Sequence, residues 1–170
     1  MTKNMGERIA VCPGSFDPIT KGHLDIVKRA SAMFDKVIVV TMINIDKKPC
    51  FNEQERVEFM RRSIEDLGLK NVEVDSYSGL LADYTKIHNA TAIVKGLRAV
   101  SDFEYEFQMA LLNKKLNPQA ETVFITTSSE NLYLSSSIVK SIASLGGDIS
   151  DFVPACIHND IKKRFYKKGV

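Results

Sequence analysis

An α/β architecture, one doubly wound domain over residues 1–170 with a five-stranded parallel sheet, follows from two features of the chain. Short apolar runs recur at Ile9–Cys12, Lys36–Ile43, Val72–Asp75, Ala92–Val94 and Thr122–Thr126, with helical patterns between them. Such alternation specifies a parallel sheet wrapped by helices. The runs are also continuously apolar, as in Val37-Ile38-Val39-Val40, and that is what a strand covered on both faces requires. A length of 170 residues with 44% hydrophobic and 26% charged content suits a single core.

Each connecting segment carries its own signals. After the first run, Pro13–His23 is rich in turn residues and opens into a helix near Gly22-His23, lined by Leu24, Val27, Ala30 and Phe34. Asn52 and Glu55 form an N-x-x-E capping box ahead of Val57, Met60, Ile64 and Leu67, and Gly68 stops that helix. Ser101 and Glu104 make a similar box before Phe103, Phe107, Ala110 and Leu111. Ser136 or a neighbour caps a helix bearing Ile138, Ile142 and Leu145, which Gly146-Gly147 ends. A last helix starts near Pro154. There is no internal repeat, low-complexity tract or linker.

Composition excludes several classes of function. A net charge of +2, from 23 basic and 21 acidic residues, argues against a nucleic-acid or anionic-membrane partner. The basic end, Lys162-Lys163-Arg164 with Lys167-Lys168, reads as a solvated helix whose cations complement its C-terminal dipole. No segment approaches the ~18 apolar residues of a membrane span, and the N-terminal stretch is too polar for a secretory signal. The three cysteines, Cys12, Cys50 and Cys156, form no CxxC pair, so neither a disulfide frame nor a metal site is expected. A reducing, cytoplasmic setting fits.

In a doubly wound sheet, ligands bind beyond the carboxyl ends of the strands, where strand order reverses. The polar-rich segments 13–23, 44–51, 76–81, 95–106 and 127–137 all follow strands and collect at that rim. Backbone amides at the first helix start, with Ser15 and His23, suit an anion. Lys95 and Arg98 flank Gly96 in "VKGLRAVSDFEYE", and two cations there suit phosphate oxygens. The serines of "SSENLYLSSSIVK" offer hydroxyls and amides to a further phosphate. G-x-G-x-x-G, G-x-x-x-x-G-K-[ST] and G-x-S-x-G signatures are absent, which removes dinucleotide binding of the usual type, P-loop hydrolysis and a serine hydrolase. Residue chemistry thus reaches a nucleotide site with a second phosphorylated ligand.

The segment P-G-S-F-D-P-I-T-K-G-H at 13–23 resembles the T/H-x-G-H signature of the nucleotidylyltransferase superfamily, and S-S-S-I-V-K at 135–140 its serine-rich motif. K-G-L-R-A-V-S-D-F-E-Y-E at 95–106 resembles the signature of the bacterial phosphopantetheine adenylyltransferases, and the likeness covers nearly the whole chain. The resemblance implies a Rossmann-like nucleotidylyltransferase fold and Mg2+-dependent transfer of AMP from ATP to 4′-phosphopantetheine. It further implies a cytoplasmic homohexamer. Carried over by position, Ser15 and Phe16 contact both ligands and His23 stabilises charge on the ATP α-phosphate. Lys47 and Lys95 meet phosphates, Lys95 that of the acceptor, and Leu81 lines the pantetheine channel. Gly96, Leu97, Arg98, Glu106, Asn131, Leu132, Tyr133, Leu134, Ser135, Ser136 and Ser137 hold ATP. The chain departs from the family in having Ser15 for the usual Thr and Lys95 for the usual Arg. The second change keeps the charge and loses the planar fork. Competing readings are an adenylyl or cytidylyl transfer to another acceptor, a non-catalytic nucleotide sensor, and a flavodoxin-like carrier.

Overall fold

A computed structural model describes residues 6–43, 48–98 and 100–166. Its five strands, β1 (Ile9–Gly14), β2 (Lys36–Met42), β3 (Val72–Tyr77), β4 (Ala92–Leu97) and β5 (Glu121–Thr126), form one parallel sheet in the order β3-β2-β1-β4-β5. The chain first winds outward from β1 to β3, then crosses back so that β4 lies on the other side of β1. Strand order therefore reverses between β1 and β4.

Two strands run beyond their apolar cores into residues that read as loop. Pro13 and Gly14 stay in β1, paired with Val40 and Thr41 of β2, although their composition reads as turn. They are tolerated there because β4 has already left: β1 and β4 pair only at Ala10–Ala92 and Val11–Ile93. Above that point β1 is an edge strand on one side, where proline is permitted. Lys95, Gly96 and Leu97 likewise belong to β4, not to the loop, because β5 pairs with them through Thr126.

The helices are α1 (Lys21–Met33), α2 (Glu53–Asp66), α3 (Leu81–Ile87), α4 (Val100–Leu116), α5 (Ser136–Ser144) and α6 (Ala155–Tyr166), with a 3-10 turn at Ser129–Asn131. The Asn52–Glu55 capping box forms in both directions, at 2.9 and 2.8 Å. The buried stripe of α2 keeps Met60 and Ile64 of the expected set and replaces the rest. It comprises Arg56, Phe59, Met60, Ser63 and Ile64, while Leu67 is the C-cap and points outward. In α5 Val139 and Ala143 face inward, and Ile138 and Leu145 are exposed. The helix ends as expected, with Gly146 at φ 76° and the Gly147 N–H bonded to the Ile142 carbonyl. Helix α4 starts at Val100, so Ser101 lies inside its first turn rather than ahead of it as a cap. Helix α3 has no sequence forecast because Leu80 offers no side-chain cap and the segment is short.

Side chains of the sheet alternate between two cores. Ala10, Cys12, Val37, Val39, Ala92 and Val94 pack with α1, α2, α5 and α6. Val11, Ile38 and Val40 pack on the other face with Tyr84 of α3. Coverage on both faces explains why Val37 to Val40 are all buried.

Candidate active site

Where β1 and β4 part, their tips enclose a cavity of about 300 Å³. Cys12 to Gly14 and Val94 to Gly96 form its floor. Thr20, Gly22 and His23 at the start of α1 make one wall, and Asn131 with Leu134 to Ser137 make another. Glu106 of α4 and Thr127 also line it, with Ser15, Phe16 and Arg98 at its rim. Three segments far apart in sequence therefore meet at the reversal of strand order.

His23 is held by the end of its own helix. Thr20 is the N-cap of α1, and its hydroxyl accepts from the His23 backbone N–H at 3.3 Å. In return the Thr20 N–H donates to His23 Nδ1 at 3.0 Å. A backbone amide can only donate, so Nδ1 carries the lone pair and the neutral ring has its proton on Nε2. Burial, reinforced by Arg98 and Lys95, pushes the His23 pKa down from 6.5 to about 4. At neutral pH the side chain is thus an uncharged hydrogen-bond donor with one nitrogen committed to the cap. The Phe16 ring meets it edge-on, with ring centroids 5.2 Å apart. That ring also crosses Gly14, where a Cβ would come within 2.8 Å of it.

The cations are partnered. Lys95 Nζ lies 3.2 Å from the Glu106 carboxylate, and both side chains are mostly buried. Arg98 Nη1 donates to the Leu134 carbonyl at 3.0 Å, joining the end of β4 to the serine-rich segment. Of the serines, Ser135 is the N-cap of α5 and Ser136 Oγ donates to the Pro18 carbonyl at 2.8 Å. Asn131 Nδ2 donates to Ser128 Oγ at 2.9 Å. Cys12 lies in the floor, where burial pushes its thiol up to about 12 and favours the protonated form at neutral pH.

The structure brings together Ser15, Phe16, His23, Lys95, Gly96 and Arg98 with Glu106, Asn131, Leu134, Ser135, Ser136 and Ser137. Leu97, Leu132 and Tyr133 do not line the cavity, and the last two are exposed. Leu81 begins α3 and packs against the smaller core. Lys47 lies outside the described residues.

Two supporting residues, Thr20 and Asp17, were not singled out from the sequence. Thr20 had a signal, an N-cap residue three before His23. Asp17 had none, since its partners are distant. Its buried carboxylate accepts from the Cys50 and Phe51 N–H groups at 3.0 and 2.9 Å and from Lys140 Nζ at 2.8 Å. Burial alone would raise its pKa. The Lys140 and backbone hydrogen bonds outweigh it and hold the carboxyl below the usual range.

The cytidylyltransferase-like family model matches residues 11–142. A phosphopantetheine adenylyltransferase of Caldanaerobacter subterraneus subsp. tengcongensis is 54% identical over 160 residues, covering 94% of this chain and 99% of the relative. One from Heliobacterium modesticaldum is 57% identical over 149 residues, 88% of each chain. The chain belongs to the phosphopantetheine adenylyltransferase family. Among solved structures it resembles a Plasmodium falciparum nicotinic acid mononucleotide adenylyltransferase, with a TM-score of 0.66 at 17% identity, covering 95% of each chain. It also resembles a bifunctional NMN adenylyltransferase/ADP ribose pyrophosphatase of Francisella tularensis, with a TM-score of 0.72 at 15% identity over 95% of this chain and 51% of that one. At such identities the likeness is one of fold. It extends the Rossmann-like nucleotidylyltransferase architecture beyond the phosphopantetheine adenylyltransferase family.

Proposed function

We propose that the chain transfers AMP from ATP to 4′-phosphopantetheine, releasing pyrophosphate and 3′-dephospho-coenzyme A, the penultimate step of coenzyme A synthesis. The observation that carries this reading is the convergence of the three family motifs on one cavity at the parting of β1 and β4, in a chain 54% identical to a phosphopantetheine adenylyltransferase over 94% of its length.

In the proposed reaction an oxygen of the acceptor phosphate attacks the α-phosphorus, and the bond to the β-phosphate oxygen breaks. A phosphate monoester is already largely ionised at pH 7, so the nucleophile needs no base. That agrees with a His23 ring whose Nδ1 is occupied by Thr20 and whose Nε2 can only donate. Its task is to hydrogen-bond a non-bridging α-phosphate oxygen as charge builds there. Lys95 holds the acceptor phosphate, and Arg98 with the serine-rich segment orients the nucleotide. Ser15 orients the attacking group from the opposite lip.

Mg2+ is the proposed cofactor. The ion favours phosphate and water oxygens with one or two carboxylates. Among the described residues no three His, Cys, Asp or Glu side chains come together, and Glu106 is the carboxylate lining the cavity. This donor set fits a magnesium ion carried on the triphosphate, with Glu106 the residue able to reach it. Bound there, the ion would supply positive charge against that developing on the pyrophosphate.

The proposal includes a cytoplasmic homohexamer. Phe103, Phe107 and Leu111 of α4, with Leu112 and Leu116, stand 44–56% exposed, a large apolar face for a single chain to leave in water. No helix among the described residues is long and apolar enough to cross a membrane. Light scattering would measure the assembly. Mass-spectrometric detection of dephospho-coenzyme A from ATP, Mg2+ and phosphopantetheine tests the reaction. Turnover with nicotinamide mononucleotide instead would overturn the acceptor.

A further inference from the structure

Arg56 is buried, 5% exposed, yet no carboxylate pairs with it among the described residues. Its Nη1 donates to the Ser15 carbonyl at 2.8 Å and lies 3.4 Å from Thr41 Oγ1, and its Nε has no partner. The Thr41 hydroxyl donates to the same carbonyl at 3.0 Å. A buried guanidinium is a poor choice for packing, since an apolar side chain of equal volume costs less to bury. Two donors from β2 and α2 on one carbonyl are what a constrained peptide needs.

That peptide joins Ser15 to Phe16, and Phe16 adopts φ 44°, a left-handed conformation costly for a bulky residue. C=O and N–H of a trans peptide point in opposite directions. With the carbonyl drawn toward β2 by Arg56 and Thr41, the Phe16 N–H faces the opposite side of β1, toward β4 and the cavity. It has no hydrogen-bond partner among the described residues.

We propose that Arg56 is a positioning residue for the transfer reaction: with Thr41 it locks the Ser15–Phe16 peptide so that the Phe16 N–H is presented to the phosphate being transferred. This rests on the reaction proposed above. The guanidinium acts through the peptide and touches no substrate.

The test compares Arg56→Met, Arg56→Lys, Thr41→Val and Thr41→Ser, with the Arg56→Met/Thr41→Val double variant, in steady-state AMP transfer and thermal melting. Loss of one preorganised donor corresponds to about 100-fold in kcat, and this is the expected effect of Arg56→Met, with the KM for ATP within about twofold. The melting temperature should move by no more than about 4 °C. Arg56→Lys should recover about tenfold, since it restores charge and one donor. Thr41→Val should lower kcat where Thr41→Ser does not. Because both residues act on one carbonyl, the double variant should be no slower than about twofold below Arg56→Met. Multiplicative losses in the double variant, or losses that follow melting temperature, would overturn the proposal. Should Arg56→Met not fold, equal kcat in Thr41→Val and Thr41→Ser overturns it, and a difference supports it. Wild-type protein that makes no dephospho-coenzyme A would instead refute the reaction, and this proposal with it.

Discussion

Replacing His23 by Asn separates the two jobs of the imidazole. The Asn Oδ1 occupies roughly the place of Nδ1 and can still accept from the Thr20 N–H, which in the native site lies 3.0 Å from that nitrogen. Nothing then stands at the position of Nε2. Stability should fall by less than the ~1 kcal/mol of a lost helix cap, whereas kcat should drop about 10²- to 10³-fold. His23→Gln reverses the pattern. Its amide nitrogen reaches toward the Nε2 position while the cap acceptor is lost, so it should keep more activity than Asn at lower stability. The pH dependence gives an independent check. Because the folded pKa is lowered from 6.5 to about 4, His23 stays neutral through the physiological range. It should put no limb on the kcat profile between about pH 6 and 8. Its contribution to stability has the corresponding sign. The unfolded chain takes up the proton first, so stability is full above about 6.5, declines as pH falls toward about 4, and declines no further from this group below that. Steady-state pyrophosphate release measured with the three proteins from pH 5 to 9 decides the matter. A limb near pH 6.5 that vanishes in His23→Asn would refute the neutral donor, as would a normal kcat in that variant.

Lys95→Ala should raise the KM for phosphopantetheine by about 10- to 150-fold, the worth of a charge-assisted hydrogen bond, and the KM for ATP far less. Unphosphorylated pantetheine, a poor acceptor throughout, should lose little more, and equal losses with both acceptors would remove the assigned role. Asp17→Asn leaves Lys140 without its partner and should cost about 3 kcal/mol in chemical denaturation. Since the Asp17 carboxyl is held below its ordinary range, this stabilisation is present above about pH 4 and lost as pH falls through the folded value. A Cys12→Ser/Cys50→Ser/Cys156→Ser variant that folds should retain turnover, because direct displacement uses no thiol. Complete loss of turnover would point to a covalent intermediate.

The sheet was legible because burial on both faces writes itself as unbroken apolar runs. Sheet burial says nothing about where a ladder stops, so Pro13-Gly14 and Lys95–Leu97 read as loops although they are strand. Helix faces were legible only where periodicity and tertiary burial agree. In α2 the inward stripe includes Arg56 and Ser63, and an apolar count discards both. The arginine was nonetheless visible in principle, standing four before Met60 and eight before Ile64 on the same stripe. In α4, Phe103, Phe107 and Leu111 were legible as an apolar pattern, yet they stand 44–56% exposed, because periodicity shows which residues share a face and not what covers it. Of the site, the motifs showed which groups gather. They could not show that Thr20 commits Nδ1 of His23, that Glu106 takes up Lys95, or that Asp17 joins α5 to the first turn. Thr20 at least stands three before His23 as an N-cap residue, whereas the pairing of Asp17 with Lys140 spans 123 positions in sequence and leaves no local trace.

The brief contact between β1 and β4 has a mechanical consequence. Pairs at Ala10–Ala92 and Val11–Ile93 alone join them, whereas β1 with β2 and β4 with β5 run side by side for their whole length. The sheet is therefore two plates sharing a narrow neck. One plate carries Ser15 and Phe16 and the other Lys95 and Gly96, with Arg29 Nη1 on the Thr126 carbonyl at 2.6 Å acting as a strut from α1. A molecule lodged between the tips spans the neck with bonds to both plates. The alignment of the reacting groups at the tips therefore rests on the angle that the neck and the Arg29 strut hold between the two plates.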